Sequence, residues 1–89
     1  MEERNIPSPL IDILKDYLYV EWIDEELLKN DMKKENWKYD RELFVSQLRE
    51  SIDNKTIKPL DYFRATGDEY DETEEVVEAL QEIWNSLFE

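Results

Sequence analysis

The sequence predicts an all-α fold: a compact single-domain bundle of about four to five helices. Three observations carry this. Apolar residues recur at helical spacing along several stretches, most clearly near the end of the chain. No segment alternates convincingly with period two, and glycine-rich hairpin turns are missing; Gly67 is the only glycine. The 89 residues fit one domain. A chain of that size buries roughly 60–70 % of the surface its unfolded form exposes, enough for one core without disulfide staples.

The elements follow in order. Residues 1–7 read as a short arm. The stretch SPLIDILKDYLYV reads as a first helix, with Ser8 as cap and Pro9 at the first helical position. Leu10, Ile11, Leu14, Tyr17 and Leu18 share one face; Asp12, Asp16 and Tyr19 lie opposite. DEELLKNDMKK forms a second helix from Asp24, with acids in its first turn and lysines in its last, as the helix dipole favours. ENWKY is a loop with anchoring aromatics. DRELFVSQLRESIDN is a third helix capped by Asp40, with Phe44, Val45, Leu48 and Ile52 as its buried stripe. A fourth, short helix is expected near residues 58–65, with Pro59 in its first turn and Gly67 as its stop. The last helix, DETEEVVEALQEIWNSLF, carries Val76, Leu80, Ile83, Trp84 and Leu87 on one stripe, widened by Val77 and Phe88.

Charge is the strongest functional signal. The formal net charge is −13. Residues 1–38 contribute −4, residues 39–67 contribute 0 and residues 68–89 contribute −9, with no lysine or arginine after Arg64. Such a chain repels nucleic acids and anionic membranes and attracts basic surfaces. There is no cysteine and no histidine. The commonest nucleophile, general base and transition-metal ligands are therefore missing, and no enzyme activity and no cofactor are expected. The DEYDETEE run has no glycine inside it to turn a calcium loop, so no specific metal site is expected. The first residues lack an apolar core segment. The expectation is neither a signal peptide nor a membrane span, and a cytoplasmic protein.

Candidate partner-binding residues lie in the acidic stretch: Asp68, Glu69, Tyr70, Asp71, Glu72, Glu74, Glu75, Glu78 and Glu82, joined by Asp16 and Tyr19 of the first helix. Asp71, Glu72, Glu74 and Glu75 need no partner, because each acid at a helix start gains about 0.3–1 kcal/mol from the dipole. Glu78, Glu82 and Glu89 lie beyond the first turn. The pairs Glu74/Glu78 and Glu78/Glu82 each cost about 0.2–0.5 kcal/mol. Two readings fit these losses, a surface directed at a basic partner and a solubilising face. Tyr19 and Tyr70 read equally as anchors or as plain surface. Trp22 and Trp37, in breaks between helices, read as structural anchors, and Trp84 reads as core.

The last half of the chain, FVSQLRESIDNKTIKPLDYFRATGDEYDETEEVVEALQEIWNSLF, resembles the C-terminal part of small acidic immunity proteins. These belong to bacterial contact-dependent growth inhibition and related polymorphic toxin systems. Leu48, Ile52, Thr56, Ile57, Pro59, Asp61-Tyr62, Thr66-Gly67, Asp71, Glu74, Leu80, Trp84, Leu87 and Phe88 carry the resemblance. It implies an antitoxin that binds a cognate toxin domain tightly and blocks it without turnover. Many such toxins are nucleases with basic clefts. Two alternatives share the composition: a phage or plasmid nucleic-acid mimic that inhibits a host DNA-binding protein, and a helical adaptor with no inhibitory role.

Overall fold

The computed structural model describes residues 6–88, which form five α-helices and no strand. They are α1 (Leu10–Tyr17), α2 (Glu25–Met32), α3 (Arg41–Asn54), α4 (Pro59–Thr66) and α5 (Thr73–Phe88). Most of the expected arm lies outside the described residues. Its end does not behave as an arm, because Ile6 is buried in the core.

α5 is the central packing element. Val76, Leu80, Ile83 and Leu87 are buried on one side of it, against α2, α3 and α4. Each such side chain contributes about 1.5–3 kcal/mol on leaving water. That exceeds the few tenths lost per like-charge pair on the opposite face. α1 packs against α2, α3 and α4 and adds Leu10, Ile13, Leu14 and Tyr17 to the same core.

Local chemistry sets most of the helix ends. Asp24 caps α2 by accepting from the Leu27 N–H at 2.9 Å, and Asp40 caps α3 by accepting from the Leu43 N–H at 3.1 Å. α4 opens on Pro59 and stops at Gly67, which adopts φ 83°. The other ends depend on distant residues. The Arg41 guanidinium donates to the carbonyls of Met32 and Lys34, closing the end of α2 with positive charge.

α1 departs from expectation at both ends. It spans Leu10–Tyr17 rather than residues 8–20, and Ser8 is not its cap. The Ser8 hydroxyl donates to the Asp12 carboxylate, and Pro9 occupies the cap position. The cap comes instead from α3. Gln47 Oε1 accepts from the Leu10 N–H at 3.1 Å, and its Nε2 donates to the Ser8 carbonyl at 2.8 Å. At the other end the chain leaves the helix at Leu18. Tertiary bonds hold the exit: the Val20 N–H donates to the Thr66 carbonyl and the Asp24 N–H to the Tyr17 carbonyl.

The core corrects several single-residue expectations. Ile13 is buried, whereas Ile11 is only half-buried. Val45 and Val77 are half-buried against the core, but Phe88 is exposed. Trp84 is half-buried too, with the Arg49 guanidinium over its ring at 4.9 Å. Trp37 does anchor its loop. Its indole N–H donates to the Tyr17 hydroxyl at 3.1 Å, which donates to Asp31 at 2.8 Å. Trp22 is tied more loosely: its indole N–H donates to the Lys15 carbonyl at 3.3 Å and its ring stacks on Tyr19, but it stays 55 % exposed.

Gly67 is needed twice over. Its positive φ suits glycine, and an added Cβ would stand 2.7 Å from Val20 Cγ1. Gly67→Ala is expected to destabilise the fold by about 1–3 kcal/mol, measured by urea denaturation. Gln47→Ala is expected to cost about 1 kcal/mol, as loss of a helix cap does, and Ser8→Ala less than that. Equal effects of Gln47→Ala and Ser8→Ala would refute the long-range cap.

Candidate functional site

The acidic candidates divide into three groups. The first is engaged structurally. Glu75 Oε1 accepts from the Asp71 N–H at 2.9 Å and the Glu72 N–H at 3.0 Å, the reach-back half of a capping box at the start of α5. Glu74 pairs with Lys55 at 3.0 Å, and that contact holds its carboxyl below the usual carboxylate range. α5 contains no base, but the fold supplies one from the end of α3.

Asp16 and Tyr19 form the second group, and they are not one face of α1. Asp16 accepts from the Tyr39 hydroxyl and lies 3.5 Å from Lys38 Nζ. Tyr19 sits beyond the helix, in the 18–24 loop, stacked on Trp22 with ring centroids 4.9 Å apart. The reason is the early exit of α1 at Leu18, which is 3 % exposed and turns into the core.

The third group surrounds a pocket of about 170 Å³. Asp68 and Tyr70 reach it from the α4–α5 loop, Glu82, Ala79 and Ile83 from α5, Tyr62 from α4, Glu25 from α2, and Leu18 and Ile23 from the 18–24 loop. Asp68, Tyr70 and Glu82 were candidates from sequence; Glu25 and Tyr62 were not. Glu25 reads locally as a first-turn acid of α2, and Tyr62 as core. Only packing of α2 and α4 on α5 brings them to one place. Glu69, Asp71, Glu72 and Glu78 stand exposed outside the pocket lining, and Glu89 lies outside the described residues.

Neighbouring bonds hold the pocket in shape. The Thr66 hydroxyl donates to the Tyr62 carbonyl at 2.9 Å and accepts from the Asp68 N–H at 3.1 Å. This fixes where the loop leaves α4. The Ser86 hydroxyl donates to Glu25 at 2.6 Å, orienting that carboxylate from across α5. The Tyr62 and Tyr70 rings meet with centroids 5.8 Å apart.

The electrostatics are one-sided. On the α3 flank of α5, Arg49 covers Trp84 and Lys55 meets Glu74. On the pocket flank, three carboxylates line the space, and no lysine or arginine does so among the described residues. The Tyr62 phenol is pushed well above the usual tyrosine range, first by burial, then by Tyr70, Asp68, Glu25 and Glu82. Burial raises Tyr70 as well, with Asp68 the next cause.

Among the described residues no cluster of three acids is placed to hold a metal ion. The pocket is also below the roughly 300–1,000 Å³ of sites that take cofactors or drug-sized ligands. No helix among the described residues is long and apolar enough to cross a membrane. In comparisons with known proteins, no family model, curated protein or solved structure matches the chain.

The raised tyrosines give a pH test. An unfolded tyrosine loses its proton near pH 10, whereas the folded chain keeps it to higher pH. The folded state then binds more protons, so stability falls as pH rises above about 10. The urea midpoint is expected to drop between pH 9 and pH 11, and to drop less in Tyr62→Phe. Near neutral pH, Tyr62→Phe is expected to cost no more than about 1 kcal/mol, the net contribution of a typical hydrogen bond. An equal alkaline drop in both proteins would remove Tyr62 as a contributor.

Proposed function

We propose that this chain is a stoichiometric inhibitor that covers a basic surface on a protein partner. The partner we favour is a cognate bacterial toxin domain, which the chain neutralises as an immunity protein, without turnover. One observation carries the reading. The carboxylates of the α4–α5 loop and of α5 lie beside Glu25 of α2, and among the described residues no base lines the space between them.

The sequence left a partner-directed face and a solubilising face open. Three further features support the first. The fold uses its nearby cations, Arg49 and Lys55, on the other flank of α5. Large apolar side chains stand exposed along the 18–24 loop: Val20, Trp22 and Ile23, with Ile23 at the pocket itself. An exposed tryptophan next to a charged rim is the composition of a binding hot spot rather than of an inert surface. Charge complementarity also speeds association, which matters when the free partner is lethal.

The test is cell survival on co-expression with the toxin domain encoded beside this gene, paired with binding measurements. The native chain is expected to protect. The double variant Glu69→Lys/Glu78→Lys, which changes exposed acids outside the pocket, is expected to slow association at least about tenfold with little change in stability. That slowing should shrink as salt rises, because exposed charges are screened beyond about 10 Å at 0.1 M. Failure of the native chain to protect or to bind would refute the toxin assignment. Unchanged association by the double variant would refute this placement of the surface.

A further inference from the structure

We infer that the pocket between α2, α4 and α5 is a receptor for a single arginine side chain projecting from the partner, its guanidinium held by Glu25, Asp68, Glu82 and the Tyr62 hydroxyl. The identity of the molecule carrying that arginine rests on the proposed function. The chemistry of the pocket does not.

Size comes first. A dry cavity of about 150 Å³ accommodates one benzene-sized group. The pocket's 170 Å³ therefore has room for one side-chain head group with part of its stem. The lining is amphipathic in the way such a side chain requires. Leu18, Ile23, Ala79 and Ile83 offer apolar surface to the methylenes, and the polar groups come from other directions.

The polar groups select the head. The three carboxylates arise from α2, the α4–α5 loop and α5, and they do not converge closely enough for a metal ion. A planar guanidinium presents five N–H donors in a fixed fork and so reaches acceptors set apart around it. An ammonium is a compact point charge that meets fewer of them. The Tyr62 and Tyr70 rings add aromatic wall, on which guanidinium packs well.

Tyr62 is an observation independent of the acids. The residue is 3 % exposed and lines the pocket. Among the described residues no side-chain polar atom is both fully sealed and without a partner, so its hydroxyl, which bonds to none of them, is left accessible. The phenol oxygen can accept from a guanidinium N–H.

The test titrates acetyl-Gly-Arg-Gly-amide into the full chain, followed by NMR of the Ile23, Ala79 and Ile83 methyls and the Tyr70 ring. Saturable shifts are expected there, with an affinity in about the millimolar range. The citrulline peptide, neutral and nearly the same shape, is expected not to bind, and the lysine peptide to bind more weakly. Glu82→Gln should weaken the arginine peptide about tenfold and Tyr62→Phe several-fold, as loss of one hydrogen bond to a charged group does. Glu78→Gln, outside the pocket, should change it less than about twofold. Absence of saturable shifts would overturn the assignment. So would equal binding of the citrulline or lysine peptide, or equal effects of Glu78→Gln and Glu82→Gln. Because the titration needs no toxin, its failure leaves the survival assay intact, and failure of that assay leaves the titration standing.

Discussion

Burial of one stripe of α5 is the constraint on which the rest depends. Val76, Leu80, Ile83 and Leu87 must leave water together, and they are buried against α2, α3 and α4. Once that face is committed inward, Glu78 and its neighbours have nowhere to point but outward. The repulsion among them is a few tenths of a kcal/mol per pair, against about 1.5–3 kcal/mol for each buried side chain. The acidic surface is thus a low-cost companion of the core.

The flanks of that same helix then part company. α3 brings Arg49 and Lys55 alongside α5, so this side is balanced by cations and a stacked guanidinium. α2 and α4 bring Glu25 and Tyr62, which add an acid and a phenol where acids already stand. A design for solubility alone would gain by placing a base at the second flank, as it has at the first. That asymmetry is what the proposed function rests on.

Some candidates also carry a contact within the fold. Glu75 is a cap, Glu74 has a lysine, and Asp16 is held by Lys38 and Tyr39. Tyr19 left its expected helix face because α1 unwinds at Leu18, where burial of that leucine and the bond from the Val20 N–H to Thr66 outweigh further helical turns. Trp22, read as an anchor, lies in the same loop: its indole N–H reaches the Lys15 carbonyl, while its ring stays at the surface.

The sequence by itself determined the helices, most of their caps and the placing of nine acids after Gly67 with no base among them. Those features follow from chemistry within a few residues: 3.6-residue periodicity, Asp at N-caps, and glycine where φ turns positive. Only the tertiary structure decided that Gln47 caps α1, that Lys55 meets Glu74, and that Glu25 and Tyr62 join Asp68, Tyr70 and Glu82 around one pocket. Each of those pairings spans many residues of chain. Their partners are set by how helices pack against α5, a geometry that no local pattern encodes.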